Sequence, residues 1–261
     1  MSTGLMNKLK WGDGIRVNGV PQHTDFGVQV GDVITVCLDE PIPEYPAEQG
    51  TLTVLYEDDH LLAVDKPAGM LIHPSHSQYA GTLANLVAGY FQATGQKCAF
   101  HPVTRLDRDT FGVVLLAKNS YMHALLQAID VQKTYHARVF GGPQADSGTI
   151  DAPIARRPLP SLLRYVNQEG KPSVTLFRVL ARMERSSLLQ LQPVTGRTHQ
   201  LRVHCAHMGY PILGDPQYGT AQSQAFSLEL GYGHQRLCAK QVEFFHPLTE
   251  ERICISSELE A

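Results

Sequence analysis

The apolar residues of this chain fall into short runs, and the longest, such as VVLLA at 113–117, have only about five residues. A membrane-spanning helix needs about 20 consecutive apolar residues, so we predict no membrane span. Strand-like runs follow one another instead, near 133–140, 173–182, 186–192 and 236–245. Antiparallel-looking strands with few helices between them are typical of an α+β fold and not of a parallel doubly wound sheet.

Three segments of the sequence carry helix signals. Thr82 and Asn119 are the predicted N-caps of two helices, and Thr198 is the predicted N-cap of a third, from about 199 to 208. Gly209 follows that third helix in the position where glycine commonly ends one. These helices would flank the sheet.

The length and composition predict one large domain with a small appendage. The chain has 261 residues, of which 43% are hydrophobic, enough for one large core. Residues 12–38 hold short strand-like runs and a turn signal, so residues 1–38 are interpreted as a β-rich appendage. The acidic, proline-rich residues 39–50 are the predicted linker, and 51–261 form the main domain.

Cysteine and histidine usage argues against disulfides and metal. The five cysteines are odd in number and lack C-x-x-C spacing, which predicts reduced thiols in a cytoplasmic protein. His199, His204 and His207 are close in sequence, but positions 199 and 204 would lie about 140° apart around a helix. The H-E-x-x-H pattern is absent as well, so we predict no bound metal.

Asp107 is the first candidate functional residue, because it lies between Arg105 and Arg108 in the segment HPVTRLDRDTFGVVLLAK at 101–118. A carboxylate between two positive charges is expected to stay ionised at neutral pH, and it can act as a nucleophile or base. The alternative is structural: a loop salt bridge, or a turn held by Asp109 and Thr110.

Two further candidates lie later in the chain. In PVTGRTHQLRVH, Arg197 and Arg202 fall at and within the first helical turn, and His199 shares a face with Arg202. This arrangement suits a phosphate, or a carboxylate brought from elsewhere, although a surface helix with solvated arginines has the same pattern. Tyr135 opens the alternating strand TYHARVF, where it is either a core aromatic or a ring for a planar ligand.

Three blocks occur in one order: RLDRDTFG at 105–112, KTY at 133–135 and TGRTHQLRVH at 195–204. With YEDDHLLAVDKPAGMLIHPS at 56–75 and GYPILGDPQYG at 209–219, they resemble the RluA-type pseudouridine synthases over about residues 51–250. The resemblance implies a mixed, mainly antiparallel central sheet crossed by a cleft. It also implies an enzyme that isomerises a uridine within ribosomal or transfer RNA to pseudouridine.

The resemblance assigns roles to individual residues. Asp107 would be the catalytic carboxylate, acting at C6 of the base or at the sugar. Arg202 would pair with it, and Tyr135 would stack on a uridine flipped out of the RNA. The residues that we expect to contact RNA are Arg105, Arg108, Lys133, Arg197 and His199. Arg105 would enter the space that the base leaves. An isomerisation involves no net transfer, so no cofactor is expected, and we expect a monomer whose partner is RNA.

Some features do not fit the family pattern as well. The formal net charge is −3, whereas phosphate contacts usually dominate RNA affinity. We therefore predict a basic groove, formed by arginines after residue 150, on a mildly acidic body. Thr104, Phe111 and the pair Ala239-Lys240 depart from the usual family residues. The alternative is that the protein is a catalytically silent RNA-binding member of the family. The presence of all three catalytic candidates argues against this alternative.

Residues 12–38 resemble the second half of the S-four-type RNA-binding fold that often precedes these synthases. The helical first half would be reduced to LMNKLK at 5–10. RNA binding and simple docking on the main domain are both open for this segment.

Overall fold

The computed structural model describes residues 9, 10, 12, 14–37 and 45–261. Its strands are β1 (Ile15–Val17), β2 (Val20–Pro21), β3 (Ile34–Val36), β4 (Thr53–Glu57), β5 (Leu61–Lys66), β6 (His101–Pro102), β7 (Phe111–Ala117), β8 (Gln132–Phe140), β9 (Ser147–Asp151), β10 (Ile154–Arg156), β11 (Arg164–Val166), β12 (Val174–Arg182), β13 (Ser186–Pro193), β14 (Leu237–Phe245) and β15 (Arg252–Ser256). Its helices are α1 (Leu83–Ala93), α2 (Ser120–Gln127), α3 (Gln200–His207) and α4 (Ala221–Glu229). Within these residues, ten strands form one sheet in the order β4-β5-β7-β14-β8-β13-β12-β9, with β6 beside β7 and β15 beside β14.

Strand β14 joins the two halves of this sheet. It runs parallel to β7, where Cys238 lies opposite Phe111 and Ala239 opposite Gly112. It runs antiparallel to β8, where Ala239 lies opposite Tyr135. The other pairings described within this sheet are antiparallel. The sheet is therefore mixed and mainly antiparallel, which confirms the predicted fold class.

Strand β7 is buried along its whole length because helices cover both of its faces. Val114 and Leu116 enter the core that includes α1, whereas the alternate side chains of β7 enter the core that includes α2. The apolar run at 113–117 is what a strand buried on both sides requires.

The second half of the sheet carries α3 on one face. Ala137 and Val139 of β8 pack with Leu201 and Cys205 of α3. Tyr135 lies two residues before Ala137 on the same strand and packs against the same core, so α3 and Tyr135 share one side of the sheet.

Two predicted helix starts are confirmed. Thr82 and Asn119 are N-caps whose side-chain oxygens accept hydrogen bonds from the backbone of Asn85 and Met122. Gly209 follows α3 with a φ of 85°, in the left-handed conformation expected there. Helix α4 and strands β9, β10, β11 and β15 were not predicted from the sequence.

The predicted cap at Thr198 was wrong. Helix α3 begins at Gln200, and its N-cap is His199, which has a φ of 56° and makes no side-chain capping bond. The side chain of Gln200 folds back and accepts a hydrogen bond from the Arg197 backbone N–H at 3.0 Å. Gln200 thereby satisfies a backbone group of the preceding turn, and Thr198 stays exposed.

The N-terminal part contains a three-stranded antiparallel sheet in the order β2-β1-β3. Asn18 and Gly19 form its first turn, with φ values of 52° and 82°. Such φ values at both central residues suit a tight hairpin, as the sequence predicted. Of the predicted linker, only 45–50 falls within the described residues, and of LMNKLK only 9 and 10. None of the described helices is long and apolar enough to cross a membrane.

Candidate active site

The segment 105–110, the Asp107 loop, is fastened to the end of β5 by Lys66. This lysine is fully buried, and its ammonium donates to the carbonyl oxygens of Pro67, Met70 and Arg108, each at 2.9 Å. The three donors of the ammonium are thus all satisfied. Burial lowers the pKa of Lys66 to about 8, against the raising effect of nearby Asp109 and Asp107, so Lys66 is charged at neutral pH and places a positive charge behind the loop.

Gly112, at the end of the RLDRDTFG block, allows the Asp107 loop to lie directly against β14. Its φ is 108°, a conformation that side-chain-bearing residues rarely adopt. A Cβ at this position would lie 2.8 Å from the backbone nitrogen of Ala239 and 2.9 Å from its carbonyl carbon. Ala239 also pairs with Tyr135 of β8. The Asp107 loop and β8 therefore lie on either side of the same residue of β14.

Asp107 and Arg202 form the ion pair that the sequence predicted. Arg202 Nη1 donates to Asp107 Oδ2 at 3.0 Å, and the aspartate side chain is 30% exposed. The carboxylate is therefore oriented by the protein and still open to a ligand.

The guanidinium of Arg202 is itself held by other groups. Its Nε and Nη2 donate to the two carboxylate oxygens of Asp215 at 2.7 and 2.9 Å, and Nη2 also donates to Gln217 Oε1 at 2.8 Å. The ring of Tyr218 lies 4.9 Å from the guanidinium carbon. Bidentate pairing fixes the plane of an arginine, so Nη1 reaches Asp107 in one orientation.

Arg202 stays charged although it is buried. Burial alone would lower its pKa, but the hydrogen bonds and negative charge of Asp215 and Asp107 outweigh that effect and raise the pKa. The side chain of Asp215 is fully buried. Arg202 thus serves as counterion to one buried and one partly exposed carboxylate.

His199 approaches the same oxygen of Asp107 from a second direction. Its Nε2 lies 3.8 Å from Asp107 Oδ2, and its Nδ1 lies 2.8 Å from the Tyr218 hydroxyl. That hydroxyl also accepts the backbone N–H of Arg164 at 2.9 Å. His199, Arg202 and Tyr218 thus form a connected group around Asp107.

Tyr135 lies on β8 on the side that carries this group. It is half-buried, and burial together with the negative charge of Asp107 raises its pKa, so the hydroxyl keeps its proton at neutral pH. Tyr135 lies opposite Ala239, which lies opposite Gly112 just after the Asp107 loop, so one strand separates the tyrosine from that loop. A neutral ring beside an ionised acid suits a planar, uncharged ligand.

The residues predicted to contact RNA occupy different positions. Arg105 and Arg108 are exposed on the Asp107 loop, and Arg108 Nε donates to the carbonyl of Gly69 at 3.1 Å. Arg197 is exposed and donates to the carbonyl of Pro172 at 3.2 Å. Among the described contacts, none joins Arg197 to Asp107.

Lys133 lies two residues before Tyr135 on β8 and is half-buried. Burial lowers its pKa, against a raising effect of Asp130. As with Arg197, no described hydrogen bond or ion pair joins Lys133 to Asp107. Its predicted role therefore rests on its position beside Tyr135.

Two buried polar residues anchor α3. Gln200 donates to the carbonyl of Val174 at 2.9 Å and to Thr175 Oγ1 at 3.0 Å. His204 Nδ1 lies 2.9 Å from the same Thr175 hydroxyl, and Nε2 lies 3.0 Å from the carbonyl of Ala152. In the run HQLRVH, two residues therefore fasten the helix to β12 and the neighbouring chain, while His199 and Arg202 face the carboxylate.

Four contributors to the site were not among the predicted site residues: Lys66, Asp215, Gln217 and Tyr218. All four lie in the two segments, 56–75 and 209–219, that supported the family resemblance. Their sequence signal was therefore present, but their roles depend on contacts with distant parts of the chain.

An oriented, arginine-paired carboxylate beside a tyrosine, open at the joint of a mixed sheet, is an arrangement for covalent or acid–base catalysis. Residues 60–207 match the family described as RNA pseudouridylate synthase. The chain belongs to this family, and it is an RNA pseudouridine synthase, an isomerase.

Similar proteins cover most of the chain. An uncharacterized RNA pseudouridine synthase of Bacillus subtilis, YjbO, is 35% identical over 97% of this chain and 89% of its own length. Ribosomal large subunit pseudouridine synthase C of Vibrio cholerae is 35% identical over 95% of this chain and 82% of its own length. The solved structure of human RNA Pseudouridylate Synthase Domain Containing 1 has a TM-score of 0.66 and 26% identity, covering 82% of this chain and 86% of that one.

Proposed function

We propose that Asp107 is the catalytic carboxylate and that it acts on a uridine flipped out of a structured RNA. The observation that carries this proposal is the 3.0 Å contact between Arg202 Nη1 and Asp107 Oδ2. Arg202 and His199 both approach Oδ2, so Oδ1 is the oxygen left for the substrate. An ionised oxygen with a fixed direction is what a nucleophilic carboxylate needs.

The reaction is a balanced isomerisation. The bond between N1 and C1′ breaks, the base rotates, and a new bond forms between C5 and C1′. The proton on C5 is lost and N1 gains one, so no atom is added or removed. Attack of Asp107 at C6 and attack at C1′ both begin from the same ionised and oriented carboxylate.

Tyr135 and the exposed arginines supply substrate binding in this proposal. The ring of Tyr135 stacks on the flipped base, and such stacking contributes about 1–3 kcal/mol per base. Arg105 fills the space in the RNA that the base leaves, and Arg108, Lys133, Arg197 and His199 contact the RNA. Extruding a base costs a few kcal/mol, roughly, which these contacts offset.

We further propose ribosomal RNA as the first substrate to test, with transfer RNA as the second. The support is that two similar proteins are named ribosomal large subunit pseudouridine synthases, C of Vibrio cholerae and D of Nitrosomonas europaea. Mapping pseudouridines in total RNA from cells with and without this gene identifies both the RNA and the position. A complete overlap of the two maps would refute the proposed activity on cellular RNA.

Asp107→Asn tests the catalytic role. Asparagine is nearly isosteric but uncharged, so we expect isomerisation to be abolished while RNA binding persists. Release of tritium from RNA labelled at uridine C5 measures the first, and a filter-binding assay measures the second. Asp109→Asn is the matched control, because Asp109 pairs with the exposed His234 at 3.3 Å, and we expect it to stay active. Full activity of Asp107→Asn would refute the mechanism.

A further inference from the structure

The backbone at His199 is held in a conformation that places its imidazole at Asp107. A φ of 56° lies in the left-handed region, which residues other than glycine adopt uncommonly and at a conformational cost. The side chain makes no capping bond to α3 in return. Its imidazole instead lies between Tyr218 and Asp107, with Nδ1 2.8 Å from the Tyr218 hydroxyl and Nε2 3.8 Å from Asp107 Oδ2, which is longer than a hydrogen bond. Strain of this kind, held by surrounding contacts, is typical of functional positions.

The hydrogen bonds around Tyr218 select one tautomer of His199. The Tyr218 oxygen already accepts the backbone N–H of Arg164 at 2.9 Å, so we assign the hydroxyl proton to the bond with His199 Nδ1, 2.8 Å away. With Nδ1 as acceptor, the ring proton lies on Nε2. Nε2 is the nitrogen that faces Asp107 Oδ2 at 3.8 Å.

The surroundings also keep His199 uncharged. Burial lowers its pKa, and the charges of Arg202 and Arg164 lower it further, whereas Asp107 and Asp215 raise it. The net direction is downward from its ordinary value of 6.5. At neutral pH the ring therefore presents a neutral N–H to the carboxylate.

We propose that His199 is a positioning residue whose Nε2–H, 3.8 Å from Asp107 Oδ2 in the free protein, closes to a hydrogen bond with that oxygen when RNA occupies the site, and that the Tyr218 hydroxyl selects the tautomer that does so. The proposal rests on the function proposed above for Asp107. A neutral donor orients the carboxylate without adding a second cation beside Arg202. A protonated ring would add one, pull the carboxylate toward itself, and weaken it as a nucleophile.

Tyr218→Phe tests the proposal, because it removes the hydroxyl and keeps the ring that lies 4.9 Å from the Arg202 guanidinium. A misplacement of about 1 Å can cost on the order of 100-fold in rate, so we expect kcat to fall by about 10- to 100-fold with KM unchanged. We also expect the acid limb of the kcat profile to move to higher pH. Without the Tyr218 bond, Nδ1 is free to take a proton, so His199 charges at a higher pH than in the wild type.

A second pair of variants separates positioning from folding. His199→Gln keeps a neutral N–H on a side chain of similar reach, so we expect it to retain more kcat than His199→Phe and to lose the acid limb that His199 causes. Tyr165→Phe is the matched control, because it also removes a tyrosine hydroxyl. Tyr165 lies on β11 next to Arg164, and its hydroxyl accepts a hydrogen bond from the Asn167 side chain at 2.7 Å. We expect wild-type kcat for it.

The outcomes distinguish this inference from the function on which it rests. An active Asp107→Asn variant would overturn the proposed function itself. If Asp107→Asn is inactive but Tyr218→Phe has the wild-type kcat and pH profile, only the role of His199 and Tyr218 is overturned. A lower kcat of Tyr218→Phe with an unmoved acid limb would also overturn it, since a purely structural defect has that result.

Discussion

Replacing Arg202 with methionine removes the ion-pair partner of two carboxylates, Asp215 and Asp107. The two lost ion pairs differ in how much each contributes to the free energy of unfolding. Asp215 has a fully buried side chain and loses both of its bonds from Arg202. Leaving a buried charge without its partner costs about 3–5 kcal/mol of the free energy of unfolding. Asp107 is 30% exposed, so water screens its ion pair with Arg202, and the loss of that pair has a small effect on stability. We therefore expect a destabilisation of about 3–5 kcal/mol that comes from Asp215.

Catalysis depends on the other carboxylate. Without the guanidinium, Asp107 loses the donor that orients Oδ2, and removing one such preorganised donor costs on the order of 100-fold in kcat. The second substitution Asp215→Asn separates the two effects, because it removes the stranded buried charge. Its carbonyl oxygen can still accept the backbone N–H groups of Gln217 and Tyr218, which Asp215 Oδ1 accepts at 2.9 and 3.2 Å.

The double variant Arg202→Met, Asp215→Asn should thus regain stability but not activity. Urea unfolding followed by circular dichroism measures the first, and tritium release from uridine C5 measures the second. Arg185→Met is the control, since Arg185 forms an exposed pair with Glu229, and such pairs contribute about 0–1 kcal/mol. Recovery of activity together with stability would refute the reasoning, because Arg202 would then act only through folding.

Two further substitutions test other parts of the site. Tyr135→Phe keeps the ring, so we expect tritium-release assays to show partial activity if stacking is its role, and complete loss would assign the hydroxyl an acid or base function instead. Lys66→Met leaves without a donor the three carbonyl groups that Lys66 binds at 2.9 Å. A buried group without a hydrogen-bond partner costs about 1–3 kcal/mol of the free energy of unfolding. Urea unfolding should therefore show a large loss of stability at pH 7. Because burial lowers the pKa of Lys66 to about 8 from 10.5, the unfolded chain binds more protons between these values, and the stability deficit of Lys66→Met should widen as pH rises through that window. A deficit that narrows over that window would contradict the described burial of the ammonium.

The ion pair between Asp107 and Arg202 could be predicted from the sequence, because each residue lies in a short motif of its own. Asp107 stands between charges in RLDRDTFG, and Arg202 stands in HQLRVH, so each could be identified before their 3.0 Å contact was known. Tyr135 was accessible in the same way. Asp215 was not, because an aspartate in a turn-rich segment has no local sign that it will be buried under an arginine.

Other features depend on groups that no sequence pattern names. The acceptors of Lys66 are backbone carbonyls, one of them 42 residues away. The start of α3 was misplaced because Thr198 has the right residue type for a cap, whereas the turn is satisfied by the side chain of Gln200. Helix α4 has a capping box of Thr220 and Ser223, but the residues that follow it lack the apolar repeat that predicts a helix.

The place of β14 in the chain has a consequence for how the protein is made. This strand spans Leu237–Phe245, and it follows β8 to β13 in the chain, yet it lies between β7 and β8 in the sheet. During translation, the facing edges of β7 and β8 therefore have no partner until residues 237–245 emerge. Unpaired strand edges invite association with other chains. Ribosome stalling or truncation before residue 237 would thus yield aggregation-prone fragments, and the two halves of the sheet can be joined only once β14 has been synthesised.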